Sequence, residues 1–252
     1  MRRKRTRHIH YLPALCIGVC ALLFVLALGL LLHRCCAPDA PEELPKEQIA
    51  LLDDGRDVTL QFQNPQLPNG CEVTSLSMLL DWAGYSVDKM ALYEGYLPRQ
   101  DFTDTLDGDL VGGDPEQVYV GDATSELGGW YCFEGPIVEA GNAYLQDQGS
   151  SWQVEAVSGL SQYQLNGYLE ANTPVIVWVT LDYTPPVDRL RNWYLPDGTF
   201  YQPLSNLHCV VVEWNQDGYL TADPLKGWQW VEESSFWDTF EAMGCRAVII
   251  NE

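Results

Sequence analysis

The 252-residue chain carries 35 acidic residues against 14 Lys and Arg, a formal net charge of −21, and so acidic a surface excludes a domain built to neutralise the phosphates of nucleic acid or anionic lipid. The imbalance is steeper than the total suggests: six of the basic residues (Arg2, Arg3, Lys4, Arg5, Arg7 and Arg34) precede Cys36, a stretch without a single acid, which leaves eight to face all 35 carboxylates. Such a surface is well solvated and draws cationic peptides.

In chain order, residues 1–10 ("MRRKRTRHIH") form a basic tail, and residues 11–32 are an uncharged apolar run. At about 1.5 Å per residue that run crosses a hydrocarbon layer of roughly 30 Å. Pro13 stands in its first turn, where a missing N–H is harmless. The basic tail stays in the cytoplasm, which puts the carboxy-terminal bulk outside the cell membrane. His33 and Arg34 follow the run in place of the small residues of a cleavage site, so the segment reads as a signal anchor and not a cleaved signal peptide. Residues 33–54, with "APDAPEELPKEQ", read as an extended stalk rich in proline and charge. Cys35 and Cys36 read as interfacial cysteines or as an intermolecular bridge.

The folded domain is expected over 55–252, a length that suits a single domain. Val73, Leu76, Leu79, Leu80 and Ala83 recur at helical spacing after Cys71, with Gly84 as the C-terminal cap. A second helix opens near Pro136 and closes near Gly149; a third opens at "SQYQ", where Ser161 and Gln164 have capping-box spacing. Strand signals then dominate: "PVIVWVTLDY", "HCVVVEW", "YLTAD" across a turn at "NQDG", and "CRAVIIN", with a short helix at "SSFWDTFEAMG" before the last. Helices first and strands later give an α+β class with a mainly antiparallel sheet. The Asp- and Gly-rich stretch from Asp101 to Gln117 lacks the alternating ligands of a helix-loop-helix calcium site and reads as a surface loop.

Cys71 stands after a glycine-bearing turn at the start of the first helix, where unpaired backbone N–H groups favour thiolate. Of four histidines, His8, His10 and His33 flank the apolar run, so His208 is the sole imidazole of the exported domain. A nucleophilic Cys71 has no other base, and the residues predict no metal or cofactor site, since zinc needs Cys and His clusters that the domain does not show. An antiparallel return from His208 brings Asp223 back to its level, where a carboxylate orients the imidazole. Cys209 faces the other way in a regular strand and reads as a packing residue. The Cys71 backbone N–H gives one oxyanion donor, and the side-chain amide of Gln63 or Gln66 gives another. Taken singly, each of these residues has a purely structural reading: a small buried thiol, a satisfied core histidine, a turn at Asp223 and Pro224.

"QNPQLPNGCEVTSL", "YCFEGPIVEAGNAYL", "TPVIVWVT", "HCVVVEWNQDGYLTADPLKG" and "FWDTFEAMGCRAVII" together resemble the papain-like cysteine peptidases of family 39, the bacteriocin-processing type, and within it the single-domain, exported C39-like branch. The resemblance spans Gln61 to Ile250. It implies a papain-like fold, Cys71 as nucleophile, His208 as general base and acid, Asp223 as the orienting group and Gln63 as the oxyanion glutamine. Gln66 keeps a claim because other papain-like enzymes use a shorter interval. The implied partner is a peptide or protein substrate, with the membrane engaged through residues 11–32 and no nucleic acid. Nothing in the sequence fixes an oligomeric state. Two rival expectations stand beside it: a catalytically silent papain-like domain that binds peptides, and an adhesion domain stapled by Cys71, Cys132, Cys209 and Cys245.

Overall fold

The computed structural model describes residues 58–104, 109–189, 191–215 and 218–252. The expected tail, membrane run and stalk lie outside these residues; among the described residues no helix is long and apolar enough to cross a membrane.

Helix α1 (Cys71–Trp82) buries Val73, Leu76, Leu79 and Leu80, and Gly84 at φ 86° takes the left-handed conformation that ends it. Helix α2 (Lys89–Gly95) is a second element that the sequence pattern did not reveal. Asp88 caps it by accepting the Met90 N–H at 2.8 Å, but seven residues are too few to display a period. Four two-residue strands follow: β1 (Arg99–Gln100), β2 (Thr103–Asp104), β3 (Leu110–Val111) and β4 (Tyr119–Val120). The chain continues through α3 (Glu134–Asp147), β5 (Gln153–Ala156), α4 (Gln162–Glu170), β6 (Val175–Thr180), β7 (Trp193–Tyr194) and β8 (Phe200–Tyr201). It closes with β9 (Leu207–Asn215), β10 (Tyr219–Asp223), β11 (Gly227–Val231), α5 (Glu233–Ala242) and β12 (Ala247–Asn251).

Six strands form one antiparallel sheet in the order β11-β10-β9-β6-β12-β5. Strict alternation sorts its side chains onto two dry faces. Ile176, Trp178, Cys209, Val211, Ala222, Val248 and Ile250 pack with α1 and α3. Val175, Val177, Val179, Val210, Val212, Ala247 and Ile249 pack with Leu165 and Leu169 of α4 and Phe236 and Phe240 of α5. Burial on both sides explains why β6 reads as an unbroken apolar run. The two edge strands escaped the sequence reading because β5 buries only Val154 and β11 is half-buried through its middle.

The Asp-rich segment is more ordered than a plain surface loop. Its β2 and β3 pair antiparallel, β3 runs parallel to β7, and β7 pairs with β8. Trp193 of β7 joins Val120, Trp130 and Tyr131 in a hydrophobic cluster of their own, against which Leu110 of β3 and Tyr201 of β8 pack.

Candidate active site

The turn before α1 is held by a short series of backbone bonds. Gln63 N–H donates to the Pro224 carbonyl at 2.9 Å, Leu67 N–H to Gln63 O at 2.9 Å and Gly70 N–H to Leu67 O at 2.9 Å. A Cβ on Gly70 would meet Leu67 Cβ at 2.6 Å, so only glycine fits beside the cysteine. Tyr119 Oη donates to Asn69 O at 2.6 Å, and the Asn69 side chain donates to Ser125 O at 2.7 Å. Cys71 is thereby fixed as the first residue of α1, with the unpaired N–H groups of the first helical turn around it.

His208 enters from the beginning of β9, and Asp223 from the end of β10. The hairpin register brings His208 Nε2 to 2.9 Å from Asp223 Oδ1, both side chains almost fully buried. The same carboxylate oxygen accepts the N–H groups of Leu225 at 2.7 Å and Lys226 at 3.2 Å. A carboxylate can only accept, so Nε2 carries a proton and donates it to Asp223. Burial pushes the Asp223 carboxyl up, but the hydrogen bond and charge of His208 and the two backbone N–H groups outweigh it and hold the group below the usual carboxylate range.

Cys71, His208 and Gln63 line one cavity of about 160 Å³, with Asn69, Trp130 and Leu181 among its other walls. Gln63 is buried, with Nε2 donating one hydrogen to Pro68 O at 2.7 Å; its Oε1 has no partner among the described residues. Gln66 is exposed and does not line the cavity. Cys209 lies buried in the core against α1, and its carbonyl accepts from Ser75 Oγ at 3.4 Å. Cys71, Cys132, Cys209 and Cys245 are all unbridged, which counts against the stapled adhesion domain. No cluster of metal ligands occurs among the described residues.

One feature departs from the sequence reading. Cys71 Sγ donates to Glu72 Oε2 at 3.4 Å, and among the described residues it makes no hydrogen bond to His208. Burial first, then the negative charge of Glu72, push the thiol well above its ordinary value. The helix terminus favours thiolate by about 0.3–1 kcal/mol. Full burial can shift a group by about 3–5 pKa units, at about 1.4 kcal/mol each, so burial wins. Glu72 itself carries no functional reading in the sequence; its only signal there is its place directly after the cysteine.

The sequence model of the Peptidase_C39 like family matches residues 56–248. This chain belongs to the Peptidase_C39 like family. YvpB, an uncharacterized protein from Bacillus subtilis (strain 168), is 33% identical over 195 residues, covering 76% of this chain and 73% of that protein. A crystal structure described as a C39-like peptidase from Bacillus anthracis superposes with a TM-score of 0.66 at 28% identity, covering 78% of this chain and 95% of the other. The C39-like chain accordingly has the papain-like α+β fold, with the cysteine-bearing helix packed on an antiparallel sheet.

Proposed function

We propose that the chain is a cysteine peptidase that hydrolyses peptide bonds through Cys71, His208 and Asp223, tethered by residues 11–32 with its domain outside the cell. The observation that carries this is the shared cavity: the thiol, the lone exported imidazole and a buried amide line one small space, while Asp223 holds the far side of the imidazole. His208 Nδ1 takes the Cys71 proton as sulfur attacks the peptide carbonyl. The oxyanion is met by the Cys71 backbone N–H and the second amide hydrogen of Gln63. His208 then protonates the leaving amine, and the thioester is cleaved by water that gives its proton to the same nitrogen.

Incubating the chain with a mixed peptide library and sequencing the new termini tests the proposal. Wild type is expected to generate new termini and Cys71→Ala none; cleavage that survives in Cys71→Ala removes the assignment. The second reading, a silent peptide-binding domain, is favoured by the resting bond from Cys71 to Glu72 and the raised thiol. On that reading the library stays intact while peptides still bind.

A further inference from the structure

We infer that Glu72 holds the nucleophile in reserve: its ionised carboxylate keeps Cys71 a thiol hydrogen-bonded to itself, and its protonation releases Cys71 to pair with His208. The inference rests on the reading of Cys71 as the nucleophile and adds to it a pH-dependent restraint.

Glu72 is fully buried. Its Oε1 accepts the Cys132 backbone N–H at 3.2 Å, and its Oε2 accepts from Cys71 Sγ at 3.4 Å. No ion pair among the described residues involves it, the buried Lys89 of α2 included. The titratable groups around this centre are Cys71 on α1, Tyr119 on β4, Tyr131 and Cys132 before α3, Glu134 on α3, His208 and Cys209 on β9 and Asp223 on β10. His208 alone among them can carry positive charge, and its Nε2 is committed to Asp223.

The proton balance then follows from adjacent charges. Moving the thiol proton to His208 Nδ1 beside an ionised Glu72 leaves two anions on neighbouring residues, and beside a protonated Glu72 it leaves one. The reactive form therefore holds a thiolate, an imidazolium and an un-ionised Glu72, and a rise in pH past the titration of Glu72 depletes it. Burial pushes the Glu72 carboxyl up to about 7, so this titration falls in the physiological range. Gln63 and Asp223 set the geometry of the reaction; Glu72 is a positioning residue that sets when it is permitted.

Alkylation by iodoacetamide across pH 5–10, with the modified cysteine located by mass mapping, reads the thiol without any substrate. In Glu72→Gln, which keeps an acceptor for the Cys132 N–H, the midpoint for Cys71 is expected to fall by roughly one to three pH units, the range an adjacent charge produces. An unmoved midpoint overturns the inference. Should Glu72→Gln fail to fold, the carboxyl titration of wild type labelled with carbon-13 at Glu decides: a Glu72 midpoint near 7 that shifts when Cys71 is alkylated supports the inference, and one near the ordinary value of about 4.3, or one indifferent to alkylation, overturns it. A chain that cleaves no peptide but whose Cys71 midpoint moves keeps this inference and loses the peptidase reading. Cleavage that depends on Cys71 with an unmoved midpoint does the reverse.

Discussion

Gln63 sits in the cavity with one amide hydrogen committed to Pro68 O and the other available, while its backbone N–H is tied to Pro224, the neighbour of Asp223. One segment therefore positions the amide proposed as oxyanion donor and ties down the turn that carries the imidazole's partner. Gln63→Ala is expected to lower kcat by about 10²–10³, the usual cost of one oxyanion donor, with KM little changed. Gln66→Ala, at an exposed position outside the cavity, should leave both constants alone; steady-state kinetics on a peptide found by library screening checks the pair. The residues by themselves leave both glutamines open, and the family resemblance points to Gln63 with Gln66 as the alternative. The fold of the intervening turn leaves Gln63 buried and Gln66 exposed.

At the scale of elements, the signals that survived translation from sequence to structure were local ones. Ser161 caps α4 by accepting the Gln164 N–H, and the Gln164 side chain returns a bond to the Ser161 N–H at 3.0 Å. That reciprocal pair is legible because it depends on spacing alone. Since α4 packs on the sheet face opposite α1, Ser161→Ala is expected to cost about 1 kcal/mol of stability and nothing in peptide cleavage. Urea unfolding beside a cleavage assay checks both halves. By contrast α2, β5 and β11 left weak patterns: a seven-residue helix has no measurable period, and edge strands bury too few side chains to alternate clearly.

For the molecule as a whole, Glu72 and Asp223 oppose one another in pH. Asp223 is held below its ordinary value when folded, so its stabilisation is present at neutral pH and is lost as pH falls through the folded value. Glu72 is raised from 4.5 to about 7 by burial, so folding binds its proton, and the stability so gained is full below 4.5 and lost as pH rises to about 7. Above that pH the buried charge costs on the order of 3 kcal/mol, at about 1.4 kcal/mol per pKa unit. Glu72→Gln should therefore gain stability relative to wild type between pH 5 and pH 8, read as a widening gap between urea midpoints. A gap that is constant with pH would show that burial does not raise this carboxyl.

The amino-acid sequence by itself determined the α+β class, the helix that begins at Cys71, the hairpin from His208 to Asp223 and the absence of any rival imidazole after His33, because each is a matter of spacing, composition or chain order. The tertiary structure decided which glutamine enters the cavity, that helices cover both faces of the sheet, and that the cysteine rests on Glu72. Those facts depend on desolvation and on segments far apart in the chain coming together. A thiol's proton affinity in particular is set by what surrounds it in space, and burial beside a carboxylate outweighs the helix terminus that its sequence position announces.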